Sequence, residues 1–288
     1  MKPLWQRRPV GLVGLGLIGG SLGLDLRHRG VCVRALVHRQ QTAERARQRG
    51  LADVVSTDPA VLADCGLVLL ALPLDRLLEP DPVLVQALAG TAVVSDVGSV
   101  KAPLAAVWEP LLGGRFVPGH PMAGTAAAGV EAGENNLFHG RPWVATPTAR
   151  TDPGALAAVR ELAEALGARW ITCGAEQHDR AVALISHLPV LASAALLQAA
   201  DRGAAGELAP LTRALASSGF ADTTRVGGGN PELGALMARH NRAALLAALG
   251  EYRRSLECLE ALVERADWGE LEHRLRDAQA LRPQFLNA

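Results

Sequence analysis

Three polar side chains lie just past apolar runs of strand length, in short glycine-containing segments. Ser99 and Lys101 fall in SDVGSVK after TAVV, and His120 falls in GHPMAGT after RFVP. An imidazole with an ordinary pKa of about 6.5 is neutral at working pH and can take a proton from a hydroxyl. A serine hydroxyl beside it can hold a donor or an acceptor in line, and a lysine supplies a point charge. Residue type alone leaves His120 equally readable as a loop histidine bonded to backbone, and Lys101 as a solvated helix residue.

The order of the elements is what would bring these groups together. VGLVGLG, VCVRALV, LVLLALP, TAVVSDVG, RFVPGH, PWVATP and RWITCG are apolar runs of strand length separated by helix-length stretches, which predicts an α/β fold with a mainly parallel sheet. LIGGSLGLDLRHRG predicts a helix ended by Gly30, and GALAAVRELAEALG predicts another with Leu156, Val159, Leu162 and Leu166 on one face. In an open sheet of this kind a crevice borders the carboxyl ends of the strands, so Ser99, Lys101 and His120 are expected to converge there.

From Glu176 onward the strand pattern stops. HDRAVALISHLPVLASAALLQAADRG reads as a long helix that Pro189 should kink or divide. Further on, Leu233, Leu236, Leu245, Leu249, Leu256, Leu259 and Val263 form an apolar stripe on a helix or helix pair. The boundary falls near Gly174, giving domains 1–174 and 175–288. The second is too short to hold much core of its own, so its stripes are expected to bury against a second copy in a homodimer, the alternative being a monomer that folds them onto the sheet domain.

VGLVGLGLIGGSLG carries Gly14, Gly16 and Gly19 in G-x-G-x-x-G spacing, after a strand pattern and opening a helix. The first glycine permits a tight turn, the second lets backbone approach a pyrophosphate, and the third packs helix on strand. Leu17 and Ile18 at the helix start complete this dinucleotide site with free amides. The next strand ends at His38, Arg39 and Gln40 rather than at a carboxylate. Positive charge and donors at that point suit a 2′-phosphate, hence NADP rather than NAD.

The totals narrow the partners. Lys+Arg and Asp+Glu both number 29, so nothing favours nucleic acid or an anionic membrane. With no signal-peptide pattern and no uninterrupted apolar window of membrane length, a cytoplasmic protein is expected. Cys32, Cys65, Cys173 and Cys258 lie far apart, without a C-x-x-C pair, so no metal site is expected and most should be small buried apolar residues.

Taken in order, GLGLIGGSL, SDVGSVK, GHPMAGT, NLF, ISHLP and DTTR resemble the prephenate and arogenate dehydrogenases of tyrosine biosynthesis over nearly the whole chain. The resemblance implies a nicotinamide-dependent oxidative decarboxylation of a cyclohexadienol, in a Rossmann-type domain followed by an all-α dimerisation domain. By that likeness His120 matches the catalytic histidine, and Ser99 the serine that orients it or the substrate hydroxyl. His187 and Arg225 match positions that contact the substrate carboxylates, where cationic groups are expected. Asp222 would orient Arg225 or cap a helix, and Thr125 would donate to substrate or cofactor amide, or cap a turn; Lys101 matches without a role. Some prephenate-using relatives have an acidic residue after GT and a second histidine after SHLP. Here Ala126 and Val190 stand in those places, as in cyanobacterial arogenate enzymes. The resemblance thus implies an NADP-dependent arogenate dehydrogenase, with prephenate dehydrogenase the close alternative and a non-catalytic dinucleotide-binding regulator the distant one. Hydroxyacid dehydrogenases that use a lysine in the helical half lack their residue, since no lysine follows Lys101.

Overall fold

The computed structural model describes residues 3–286 except Ala126, so the departure at Ala126 lies outside the described residues. Strands β1 (Val10–Val13), β2 (Val33–Leu36), β3 (Val54–Ser56), β4 (Leu67–Leu70), β5 (Val93–Asp96) and β6 (Phe116–Val117) form one sheet. Its order is β3-β2-β1-β4-β5-β6 and every pairing is parallel. The order reverses between β1 and β4, which is where a dinucleotide crevice opens in a Rossmann-type sheet. The central strands are buried along their whole length, because helices cover both faces, and they therefore read as continuous apolar runs. One core cluster gathers Leu12, Leu22, Leu26, Trp143 and Leu162, and a second gathers Val68, Leu70, Trp108 and Phe116.

Two details differ from expectation. The strand β3 is three residues long and too short to stand out in the sequence. RFVPGH, expected as one strand, is two: β6 ends at Val117, and β7 (Gly119–Pro121) starts a second sheet. Pro118 between them has no N–H to continue the ladder. The strand β7 pairs antiparallel with β8 (Pro142–Ala145), which pairs parallel with β9 (Arg169–Thr172).

The helical run that follows is Ala175–Val182, then a π turn at Ala183–His187, then Leu188–Gly203. The expected break at Pro189 takes this form. Pro189 offers no N–H to the carbonyl one turn back and its ring crowds that carbonyl, so the turn ahead of it widens. By length and hydropathy alone this run could cross a membrane, which the search for uninterrupted apolar windows overlooked. It is nevertheless fastened into the sheet unit through His178 and Asp179, as described below. Helices Leu208–Leu215, Ser218–Thr224 and Pro231–His240 follow.

The chain divides into two compact units, Met1–Asn241 and Arg242–Ala288. The second consists of helices Arg242–Glu264 and Trp268–Leu286, so the stripe read as a helix or helix pair belongs to a pair broken at Asn241. Leu256, Trp268, Leu275 and Phe285 of this unit are exposed, as are Leu184, Ile185, Leu208, Leu211 and Leu215 of the first. The cysteines differ from expectation as well: only Cys65 is buried, whereas Cys32 and Cys258 are exposed and Cys173 is half-buried. Surface strand and helix positions on a short solvated face do not distinguish a cysteine from a serine.

Candidate active site

The three glycines of the first turn do different things. Gly14 has φ +92°, and a Cβ on it would lie 2.4 Å from the carbonyl oxygen of Ala71. A Cβ on Gly19 would lie 2.1 Å from the carbonyl oxygen of Gly14. Both must be glycine for reasons internal to the protein. A Cβ on Gly16 would meet nothing within 4 Å, so its lack of a side chain leaves the space that a pyrophosphate needs. Gly16 precedes helix Leu17–His28, whose first amides, those of Leu17, Ile18 and Gly19, have no intrahelical acceptor.

At the end of β2, His38, Arg39 and Gln40 are exposed, and Arg39 is the residue before helix Gln40–Gln48. With Thr42, Arg45, Val130 and Glu131, Arg39 lines an open cavity of about 480 Å³. The Arg45 guanidinium is bound by both oxygens of Glu131, whereas Arg39 makes no ion pair among the described residues. The loop that follows His120 closes over this region. Gly133 packs against Gly20, the Glu134 amide donates to Ser21 Oγ at 2.9 Å, and the Asn136 amide donates to Asp25 Oδ1 at 2.9 Å.

His120 stands on β7 opposite Val144 of β8. Its position is fixed from the residue before it. Asp96 Oδ1 accepts from the Gly119 amide at 3.1 Å, and the Lys101 ammonium donates to the Gly119 carbonyl and to Asp96. Lys101 and Asp96 are both fully buried, so the lysine is neither solvated nor placed to contact a ligand. Burial pulls its pKa down, and the Asp96 carboxylate opposes that.

The imidazole continues into a chain. His120 Nδ1 lies 2.9 Å from His178 Nε2, and His178 Nδ1 lies 2.8 Å from Asp179 Oδ1. A carboxylate only accepts, so His178 carries its proton on Nδ1. Where His178 carries that proton alone, its Nε2 is a lone pair, and the proton of a neutral His120 must be on its Nδ1. The consequence is a lone pair on His120 Nε2 with no protein partner among the described residues. Asp179 is itself held by the amides of Lys101 and Ala102, at 2.7 and 2.9 Å, at the start of helix Ala102–Leu112. Ser99 Oγ and His187 Nε2 are among the buried polar atoms that have no hydrogen-bond partner within the described residues.

Both site histidines are kept neutral. Burial pushes His120 well below its ordinary value, and His178, Lys101 and His187 add to this by the charge each would carry. Burial takes His187 down to about 4, against the pull of Asp179 and with a contribution from His178. In the unfolded chain these rings protonate near pH 6.5. Between that point and the folded values the unfolded chain binds more protons, so their contribution to stability is complete above pH 6.5 and is lost as pH falls towards 4. Calorimetry is expected to show the unfolding midpoint falling across that window; a flat midpoint would contradict neutral burial.

Comparison with known proteins decides the family. A model of the prephenate dehydrogenase nucleotide-binding domain matches residues 22–172, and one of the prephenate dehydrogenase dimerization domain matches residues 174–277. The chain belongs to the prephenate dehydrogenase family. This dehydrogenase is 30% identical to the cyclohexadienyl dehydrogenase of Zymomonas mobilis, covering 95% of this chain and 94% of that one. It is 29% identical to the prephenate dehydrogenase of Bacillus subtilis, covering 89% and 70%. Among solved structures it is 43% identical to Synechocystis arogenate dehydrogenase, with a TM-score of 0.80 over 96% of this chain and 99% of that one. The structure of prephenate dehydrogenase from A. aeolicus with hydroxyphenyl propionate and NAD+ gives a TM-score of 0.87 at 28% identity, over 96% and 98%. The chain is thus an oxidoreductase of this family, with a nucleotide-binding domain and a dimerization domain.

Other residues of the dehydrogenase singled out by sequence stand apart from this group. Thr125 is exposed and its hydroxyl accepts from the Ala127 amide at 3.2 Å, which is a local turn. Asp222 and Arg225 are exposed at the end of helix Ser218–Thr224; no hydrogen bond joins them to each other or to the histidines, and Asp222 is not the cap, which is Ser217. Their segment docks on the helix after His187, where the Gly227 amide donates to Ser193 Oγ at 2.8 Å. His187 is a neutral group rather than the cation expected there. Sequence reading missed His178, Asp179, Asp96 and Asn241. The one available signal was the adjacent pair His178-Asp179 in the polar turn that leads into the long apolar helical run.

Proposed function

We propose that this dehydrogenase oxidises L-arogenate with NADP, giving L-tyrosine, carbon dioxide and NADPH. The observation that carries the catalytic part is the hydrogen-bonded run from Asp179 Oδ1 through His178 to His120 Nδ1, from which His120 Nε2 follows as the acceptor. A dinucleotide held by its pyrophosphate at Gly14, Gly16 and Gly19 would supply, in its nicotinamide, the acceptor for the hydride on the ring carbon that bears the substrate hydroxyl. His120 takes the proton of that hydroxyl as its oxygen turns carbonyl-like. A base of depressed pKa suffices, because a hydroxyl losing hydride from its carbon becomes strongly acidic. The imidazolium so formed donates from Nδ1 to His178, which donates to Asp179, so the carboxylate stabilises the transient charge. Loss of carbon dioxide then sends its electron pair into the ring, and His120 returns the proton to the phenolic oxygen.

Ser99 Oγ is proposed to orient the hydroxyl, with His187 and Arg225 at the substrate carboxylates, Asp222 orienting Arg225, and Thr125 donating to substrate or cofactor amide. Substrate choice is supported by the 43% identity to Synechocystis arogenate dehydrogenase. Prephenate is the second reading, supported by the names of the Bacillus and A. aeolicus relatives. For the cofactor, Gly14, Gly16, Leu17, Ile18 and Gly19 would hold the pyrophosphate, and the unpaired Arg39, flanked by His38 and Gln40, would bind the 2′-phosphate. The functional boundary is proposed at residue 174, with residues 175–288 pairing two copies through their exposed apolar helices in the cytoplasm.

A single assay tests these points: purified protein with arogenate or prephenate and with NADP or NAD, following absorbance of the reduced cofactor. Preference for prephenate would overturn the substrate assignment. Arg39→Ala is expected to weaken NADP by about 10- to 100-fold, the loss of one charge-assisted phosphate contact, with NAD changed less than threefold. Equal losses would show that Arg39 does not grip the extra phosphate.

A further inference from the structure

We propose that Asn241 is a positioning residue that holds His187 as an uncharged hydrogen-bond donor, with its Nε2–H directed at an acceptor atom of the ligand. Asn241 is buried at the break between helices Pro231–His240 and Arg242–Glu264. Its Nδ2 lies 2.7 Å from the carbonyl oxygen of Asp179 and 3.2 Å from His187 Nδ1.

The polarity follows step by step. A backbone carbonyl has only lone pairs, so the side of Asn241 facing Asp179 is its NH2 and not its oxygen. An amide NH2 only donates, so its second hydrogen goes to His187 Nδ1, which must be a lone pair. A cationic His187 would set N–H against N–H at that contact. The proton of the neutral ring is therefore on Nε2, and that atom is fully buried with no partner among the described residues. An unmade bond to a buried donor is costly, so the complement of this atom is an acceptor. His187 and His120 are tied to the same residue: the Asp179 carboxylate holds His178, which meets His120, and the Asp179 carbonyl holds Asn241, which meets His187.

Asp179 therefore sets two histidines in opposite senses. Its carboxylate, through His178, makes His120 an acceptor, and its main-chain carbonyl, through Asn241, makes His187 a donor. The identity of the acceptor, a substrate carboxylate oxygen, rests on the function proposed above; the tautomer does not.

The test uses the full chain with 15N-labelled histidine at pH 7.5 and long-range 15N–1H correlation, His187 being assigned by its loss in His187→Gln. The expected spectrum shows Nδ1 as unprotonated and Nε2 as protonated ring nitrogen. Asn241→Asp puts an acceptor opposite Nδ1, so the pattern should invert or become doubly protonated. A proton on Nδ1 in the wild type, or no change in Asn241→Asp, overturns the proposal; if that variant does not fold, the wild-type spectrum decides. Where the variant's pattern inverts, KM for the turned-over substrate should rise about tenfold with kcat within about twofold, the mark of lost binding rather than lost chemistry; where the ring becomes doubly protonated it keeps its Nε2–H, and KM should stay the same or fall. An unchanged KM with the inverted pattern, or a raised KM with the doubly protonated one, would overturn the ligand-directed half. Absence of turnover in the wild type would instead sink the proposed function, and would leave the spectrum as evidence for or against the lock.

Discussion

Replacing His120 with asparagine is expected to lower kcat by at least a hundredfold, and by as much as about ten-thousandfold, with KM and cofactor affinity changed less than threefold. Asparagine keeps a donor that can face His178 and a similar volume, so the fold and the clamp on Gly119 should survive. What it lacks is a basic lone pair where Nε2 of His120 stands. The neutral state of the wild-type ring sharpens the expectation. With its pKa pushed well below the ordinary value by burial, the base is available throughout the neutral range, and the acid limb of the kcat profile should lie below pH 6.5. Steady-state kinetics with reduced-cofactor absorbance reads both. Residual turnover within a few fold of wild type would remove His120 from the chemistry and revive the reading of a binding protein without catalysis.

The second large effect is on stability. Lys101→Met keeps the length of the side chain but leaves the Asp96 carboxylate, at 0% exposure, without its counter-ion. Breaking a buried pair from one side costs about 3–5 kcal/mol. Denaturant unfolding at fixed protein concentration should show a loss of that order, and the double variant Asp96→Asn/Lys101→Met should recover part of it, because the uncompensated charge is then gone. Activity should fall as well, since the ammonium holds the carbonyl of the residue that leads into His120. A loss under about 1 kcal/mol, the range of exposed pairs, would mean that the pair is solvated in solution.

Much of the fold was legible because it repeats a local rule. Strand-length apolar runs marked all but one strand of the parallel sheet, and the glycine spacing marked the turn whose three glycines prove unequal in space. The missing strand, Val54–Ser56, pairs on one side only at the sheet edge and carries too little pattern to be seen. His120 was visible through its neighbours in the motif. His178 was not, for a geometric reason. It lies nine residues before His187, and at about 100° per residue an unbroken helix would put the two on opposite sides. The π turn at Ala183–His187 takes up one extra residue and swings His187 back by about 100°. Periodicity read along a regular helix cannot foresee that change of facing, nor that a proline downstream would bring it about. Asn241 was hidden for a related reason: a polar residue at a helix break reads as solvent-facing until the third dimension closes over it.

Asp179 gathers several duties in one residue, and this limits what its own replacement can teach. A variant there would uncap helix Ala102–Leu112, free His178 to rotate and disturb the carbonyl that steadies Asn241, so its lost turnover could not be apportioned among those causes. It follows that penalties along this relay should not sum. A chain carrying changes at His120 and His178 together should retain about as much turnover as one lacking His120 alone, because a sequence of links fails once at its weakest point.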